Sequence, residues 1–221
     1  MKIIFLCSSL LLVASLYSDE SLVKNVEKVN YNTVSIVNDP NNLEKSSGGT
    51  GIVINKKNKT YVLTNNHVVE GLKNKLFIFK VNEQSKLIVN TKVLAVSKKI
   101  DVAVLECAID LSSCTKSTEF EFDNKCIKKG MDVFYYGDFA HWGKYGDLAV
   151  TRGILSYNTG EHLICQLTVL PGCSGGGMYD MNGKCIGMVA ARFEFVGAQV
   201  IPINDIKDWA NKNKLSWLFS D

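Results

Sequence analysis

From Val34 onward the chain is a succession of short apolar, β-branched runs separated by Gly, Asn, Asp and Lys. Such runs are too short for ordinary helices, and their residue types suit a pleated, half-buried surface. The spacing predicts strands over 34–37, 51–54, 61–64, 76–81, 87–96 and 101–107, with a polar turn at 55–59. A second set is predicted over 132–136, 148–156, 163–169, 177–179, 185–191 and 196–201, with turns at 143–146 and at Asn182-Gly183. Residues 109–128, between the sets, are polar and cysteine-bearing, as a crossover would be. Many short strands at this spacing argue for antiparallel barrels or a sandwich, not a parallel sheet with helical crossovers. Two sets of about six in 221 residues point to an all-β fold of two six-stranded antiparallel β-barrels. The N-terminal barrel is expected over about 33–110 and the C-terminal one over about 128–203.

The end of the chain differs. Ile203, Ile206, Trp209 and Ala210 recur at helical spacing, with Lys207, Asp208 and Lys212 on the other side. This predicts a C-terminal α-helix over about 203–213, docked by one face. Trp209 and Trp217 read as core anchors. Residues 22–31 are compatible with a short helix or an extended lead-in. With 46% hydrophobic and 21% charged residues, the chain can bury one large or two small cores. The net charge is +3 and no basic cluster is interleaved with aromatics, so nucleic acid is not an expected partner.

The first residues have the pattern of an export signal. Lys2 precedes an apolar run over 3–16, and Ser18-Asp19-Glu20 follow. The expectation is a signal peptide over 1–18, a mature domain over 19–221, and a secreted or periplasmic product with no stable membrane span after cleavage. The alternative is an uncleaved membrane anchor, although the run is short for a span of about 20 residues. Of seven cysteines, Cys7 would leave with the signal. The other six are Cys107, Cys114, Cys126, Cys165, Cys173 and Cys185. An even count in an exported chain suggests disulfides, with the pairing open. Cys107 and Cys114 are close enough in sequence to staple one loop. No C-x-x-C pair occurs and the three His are scattered, so neither a metal nor another cofactor is expected.

Three stretches carry chemistry. Pro171-Gly172-Cys173-Ser174-Gly175-Gly176-Gly177 is a backbone able to bend tightly and aim several N–H groups at one spot. Acyl transfer needs that arrangement around an exposed Ser hydroxyl. Alone, the run could be a turn. Upstream lie Thr64-Asn65-Asn66-His67-Val68-Val69, readable as a polar strand end or hairpin corner, and Asp101 at the opening of an apolar strand. A Ser hydroxyl is a weak nucleophile until an imidazole takes its proton, and a carboxylate on the far ring nitrogen fixes the imidazole's tautomer.

The segments 49–54, 61–69, 101–105, 129–133, 151–156 and 171–176, with Gly187 and 201–204, resemble the trypsin-like serine peptidases of the chymotrypsin fold. Within that family the likeness is to the HtrA/Deg branch, over about residues 33–210. The resemblance implies Ser174 as nucleophile, His67 as general base and Asp101 as the group that orients it. It also implies an oxyanion hole built from the N–H groups of Gly172 and Ser174, each such donor being worth about 3–4 kcal/mol. The function implied is an exported serine endopeptidase working through an acyl-enzyme on proteins or peptides. The alternative is a catalytically inactive domain of this fold acting as a protein-binding module; the complete trio favours the enzyme.

Departures from the family pattern matter. Cys173 stands where trypsin-type zymogens carry an Asp, so activation by pairing a new N-terminal amine with that position is excluded. Cys173 is expected either in a disulfide or as a free thiol whose oxidation would disturb the loop. No segment resembling a PDZ domain follows in the sequence, so tethering by one is not expected. The resemblance would line the primary pocket with Thr168, Ala190, Ala191, Arg192 and Gly197. Thr168, in place of a carboxylate, gives no support to a Lys/Arg preference and favours a small or apolar residue. Arg192 reads equally as a pocket residue and as a solvated loop residue. His141 and His162 read as surface loop residues.

Overall fold

The computed structural model describes residues 20–43, 46–70, 77–82, 85–139, 146, 148–193 and 197–220. The expected signal peptide over 1–18, His141 and the turn at 143–145 lie outside the described residues. Strands β1 (Thr33–Val37), β2 (Gly48–Lys56), β3 (Lys59–Thr64), β4 (Phe77–Asn82), β5 (Ser85–Ser97) and β6 (Val102–Cys107) close the first barrel in the order β1-β2-β3-β6-β5-β4. Strands β7 (Asp132–Asp138), β8 (Leu148–Asn158), β9 (Leu163–Gln166), β10 (Gly177–Asp180), β11 (Cys185–Phe193) and β12 (Gly197–Pro202) close the second in the order β10-β11-β12-β9-β8-β7. All pairings in both barrels are antiparallel. The fold is the double barrel that the two sets of strands predict.

Local chemistry accounts for the turns. Lys57 and Asn58 both have positive φ (50° and 60°) between the paired Lys56 and Lys59, which gives the two-residue hairpin its twist-matched turn. At Asn182-Gly183 the Asp180 carboxylate accepts the N–H groups of Asn182 and Lys184, both at 2.9 Å. The lead-in is a helix, α1 (Glu20–Asn30), and the His67 segment is a second short helix, α2 (Asn66–Glu70). Helix α3 (Ile203–Lys212) buries Ile203, Ile206 and Ala210, the stripe expected from their spacing.

One buried cluster spans both barrels. It joins Ile52, Ile54, Leu63, Val102 and Val104 of the first to Phe134, Tyr179, Met188 and Ile201 of the second, with Val29 of α1 and Ile206 of α3. Each barrel also has an interior of its own. The crossover and the last residues brace the outside: Phe219 packs edge-on against Phe120 and Phe122, and Trp217 against Tyr61 of β3. Trp209 and Trp217 pack against the shared cluster as anchors.

The cysteines correct the sequence-based expectation. All six of the described chain are free. The Cys107–Cys114 staple does not form: Cys107 is buried in the first barrel's interior, and Cys114 Sγ donates to the Leu111 carbonyl at 3.4 Å. Cys165 and Cys185 are equally buried, and burial pushes both thiols up to about 12. These residues serve as small apolar side chains.

Candidate active site

His67 lies on α2 directly after β3, so the predicted strand end is a helical turn that swings the imidazole off the barrel rim. Asp101 lies in the turn before β6 with φ +54°, a left-handed conformation uncommon outside Gly and tolerated best by Asp and Asn. The side chain is held from two directions. Its Oδ1 accepts the His67 N–H at 2.9 Å and its Oδ2 faces His67 Nδ1 at 2.6 Å. Asn65 Nδ2 donates to the Asp101 carbonyl at 3.0 Å and fixes the turn itself. A carboxylate oxygen that close to Nδ1 requires the ring proton there, which leaves Nε2 as an acceptor. The His67 side chain is about half exposed.

Ser174 sits on the loop between β9 and β10. Gly172 and Gly175 have φ of +98° and +87°, values a side chain would strain. A Cβ on Gly175 would also run into Thr64 Oγ1 and the Thr50 carbonyl, and one on Gly176 would come within 2.6 Å of the Tyr135 ring. Within the loop, Cys173 N–H donates to Leu170 O (3.1 Å) and Gly176 N–H to Cys173 O (3.1 Å). Gly175 N–H donates to Val189 O at 2.8 Å. Among the described residues, the N–H groups of Gly172 and Ser174 have no protein acceptor.

Ser174 meets the first barrel where its carbonyl accepts the Thr50 N–H at 2.8 Å, and among the described residues no hydrogen bond joins Ser174 to the His67 ring. The hydroxyl donates instead to the Ala190 carbonyl at 3.1 Å. That carbonyl is available because β11 bulges: Val189 pairs with Val200 and Ala191 with Gln199, leaving Ala190 out of register. Sequence reading placed Ala190 only as a pocket lining; a bulge depends on cross-strand pairing and leaves no local signature.

The other predicted pocket residues lie on β11, on β12 and beyond β9. Ala191 and Arg192 are exposed along the end of β11, with Arg192 opposite Ala198. Gly197 is buried at the start of β12, where a Cβ would meet the Cys165 carbonyl at 2.9 Å. Thr168 is exposed beyond β9, its carbonyl accepting from Thr151 Oγ1 at 2.9 Å. His162 belongs to the β8–β9 turn, as expected, but is half-buried, its N–H donating to Thr159 Oγ1 at 2.8 Å. It lines a cavity with Lys99, Ile100, Gly160, Glu161, Ile201 and Asp205 that includes none of the predicted pocket residues. Burial and the nearby Asp208 raise the Asp205 carboxyl.

Of the two expectations for Cys173, the free thiol holds. It is buried, accepts the Leu170 N–H at 3.3 Å and donates to the Asp138 carbonyl at 3.3 Å. Burial pushes the thiol up to about 11. Among the described residues, no group of three His, Cys, Asp or Glu side chains could hold a metal ion.

The two closed barrels carry a His–carboxylate pair and, on a separate Gly-rich loop, a serine. A family model described as a trypsin-like peptidase domain matches residues 49–188, and the chain belongs to that family. It is 31% identical over 187 residues to the serine protease Do-like HtrA of Bacillus subtilis, covering 76% of this chain and 39% of that protein. It is 28% identical over 188 residues to the probable periplasmic serine endoprotease DegP-like of Pseudomonas savastanoi, covering 78% and 36% respectively. The chain thus spans less than two-fifths of the length of these two relatives. The fold is similar to that in the crystal structure of the serine endoprotease from Yersinia pestis: TM-score 0.68, 20% identity, 89% of this chain and 67% of that one covered.

Proposed function

We propose that this chain is an exported serine endopeptidase. Ser174 attacks the scissile carbonyl, His67 takes its proton, and Asp101 orients the ring and stabilises the imidazolium. His67 gives that proton to the leaving amine as the peptide bond breaks. The acyl group left on Ser174 Oγ is then attacked by water, whose proton His67 takes and returns to Ser174 Oγ as the acid departs. The N–H groups of Gly172 and Ser174 receive the developing oxyanion. The observation that supports this reading is the double hold of Asp101 on His67, which leaves Nε2 as the acceptor. The Ser174–Ala190 hydrogen bond is the resting position; attack requires the hydroxyl to leave Ala190 and donate to Nε2, a bond that tightens when substrate docks.

Protein and peptide substrates follow from the chemistry, with a small or apolar residue before the cleaved bond. Export rests on the signal pattern over 1–18. No helix among the described residues is long and apolar enough to cross a membrane. A second reading, a silent binding module, draws on the same Ser174–Ala190 bond. Incubation with an unfolded protein such as reduced casein separates the two. The enzyme cleaves it, and Ser174→Ala lowers the rate by about 10⁶-fold. Binding without cleavage by the folded wild type would select the module.

A further inference from the structure

Thr50 lies in β2, in the other barrel from the Ser174 loop, and is completely buried. It makes more bonds across the junction than any catalytic candidate. Its N–H donates to the Ser174 carbonyl at 2.8 Å, and its hydroxyl donates to the Gly172 carbonyl at 2.8 Å. Oγ1 also accepts from Asp138 N–H (3.0 Å) and lies 3.1 Å from Tyr135 OH, which is itself 3.3 Å from the Asp138 carbonyl. Its own carbonyl accepts from Thr64 Oγ1 at 2.8 Å. The flanking glycines permit this approach: a Cβ on Gly49 would come within 2.6 Å of the Ser174 carbonyl.

The two bonds to the loop fall in a telling pattern. Peptide units are rigid planes. Four follow one another here: Pro171–Gly172, Gly172–Cys173, Cys173–Ser174 and Ser174–Gly175. The first and third carry the two N–H groups without protein acceptors. The second and fourth carry the carbonyls that Thr50 grips. Donor planes therefore alternate with planes anchored to the opposite barrel.

We propose that Thr50 is a positioning residue for the oxyanion site, its hydroxyl anchoring the Gly172–Cys173 plane so that the donors on either side keep their spacing and depth. This deepens the peptidase reading above and rests on it. The sequence marks the residue only as the Thr in Gly49-Thr50-Gly51.

The test compares the full chain with Thr50→Val, which keeps the shape and loses the hydroxyl, and Thr50→Ser, which keeps the hydroxyl. The readouts are the saturation kinetics of a fluorophosphonate on Ser174, the ³¹P shift of the adduct, whose phosphoryl oxygen occupies the oxyanion position, and the thermal midpoint. Loss of a direct donor costs about 10²–10³-fold, so loss of its anchor is expected to slow the maximal labelling rate of Thr50→Val by about 10- to 100-fold. Probe affinity should hold, the ³¹P shift should move, and Thr50→Ser should stay within about threefold of wild type. Should Thr50→Val fail to fold, Thr50→Ala, whose smaller side chain leaves room for a water, takes its place. Folded hydroxyl-free protein labelling at the wild-type rate overturns the proposal, as does Thr50→Ser being equally slow. A folded wild type that does not label overturns the peptidase reading itself, and the role for Thr50 with it.

Discussion

At the residue scale, the site depends on Asp101 in a conformation that few residues accept. Its φ of +54° aims both carboxylate oxygens at His67, one at the backbone N–H and one at Nδ1. Asp101→Asn places an amide where two acceptors are required and favours the wrong imidazole tautomer. The expected loss in kcat is about 10⁴-fold with the fold intact, read from casein hydrolysis and circular dichroism. Cys173 provides a second prediction. A buried thiol raised to about 11 presents almost no thiolate at pH 8. Iodoacetamide should therefore modify the exposed Cys126 and spare Cys173 in the folded protein, as read by peptide mapping. Equal modification of both would mean that the loop opens.

At the element scale, the twelve strands and α3 were legible because period-2 and helical patterns are local properties of the chain. The candidate trio His67, Asp101 and Ser174 could be read only jointly, because each stretch alone also reads as a turn, a hairpin corner or a strand opening. The α2 turn was not legible, since His67-Val68-Val69 carries residues as common in strands as in helices. Nor was the β11 bulge at Ala190, which is set by pairing with β12. The disulfide expectation rested on cysteine count alone, and the barrel interiors claimed most of those side chains instead. For α3, the buried stripe implies that Ile206→Ala removes a side chain wholly inside the shared cluster. A loss of about 2–5 kcal/mol in denaturant unfolding is expected, against little change for the exposed Lys212.

At the scale of the whole molecule, the barrels join through both apolar and polar contacts. The shared cluster ties the barrel strands to α1 and α3, and the Thr50 bonds cross to the Ser174 loop and to Tyr135 and Asp138 of β7. Two barrels sharing one core should unfold together. Calorimetry is expected to show one transition whose calorimetric and van't Hoff enthalpies agree; two resolved transitions would mean separable barrels.

The central claim is that Ser174 is a nucleophile activated by His67. Its most direct test is the intact mass of the protein after exposure to a fluorophosphonate, with Ser174→Ala and His67→Ala alongside. One adduct per chain is expected, mapped to Ser174, absent in the first variant and strongly slowed in the second. A folded wild type that gains no mass, or one that labels equally well without His67, would contradict it.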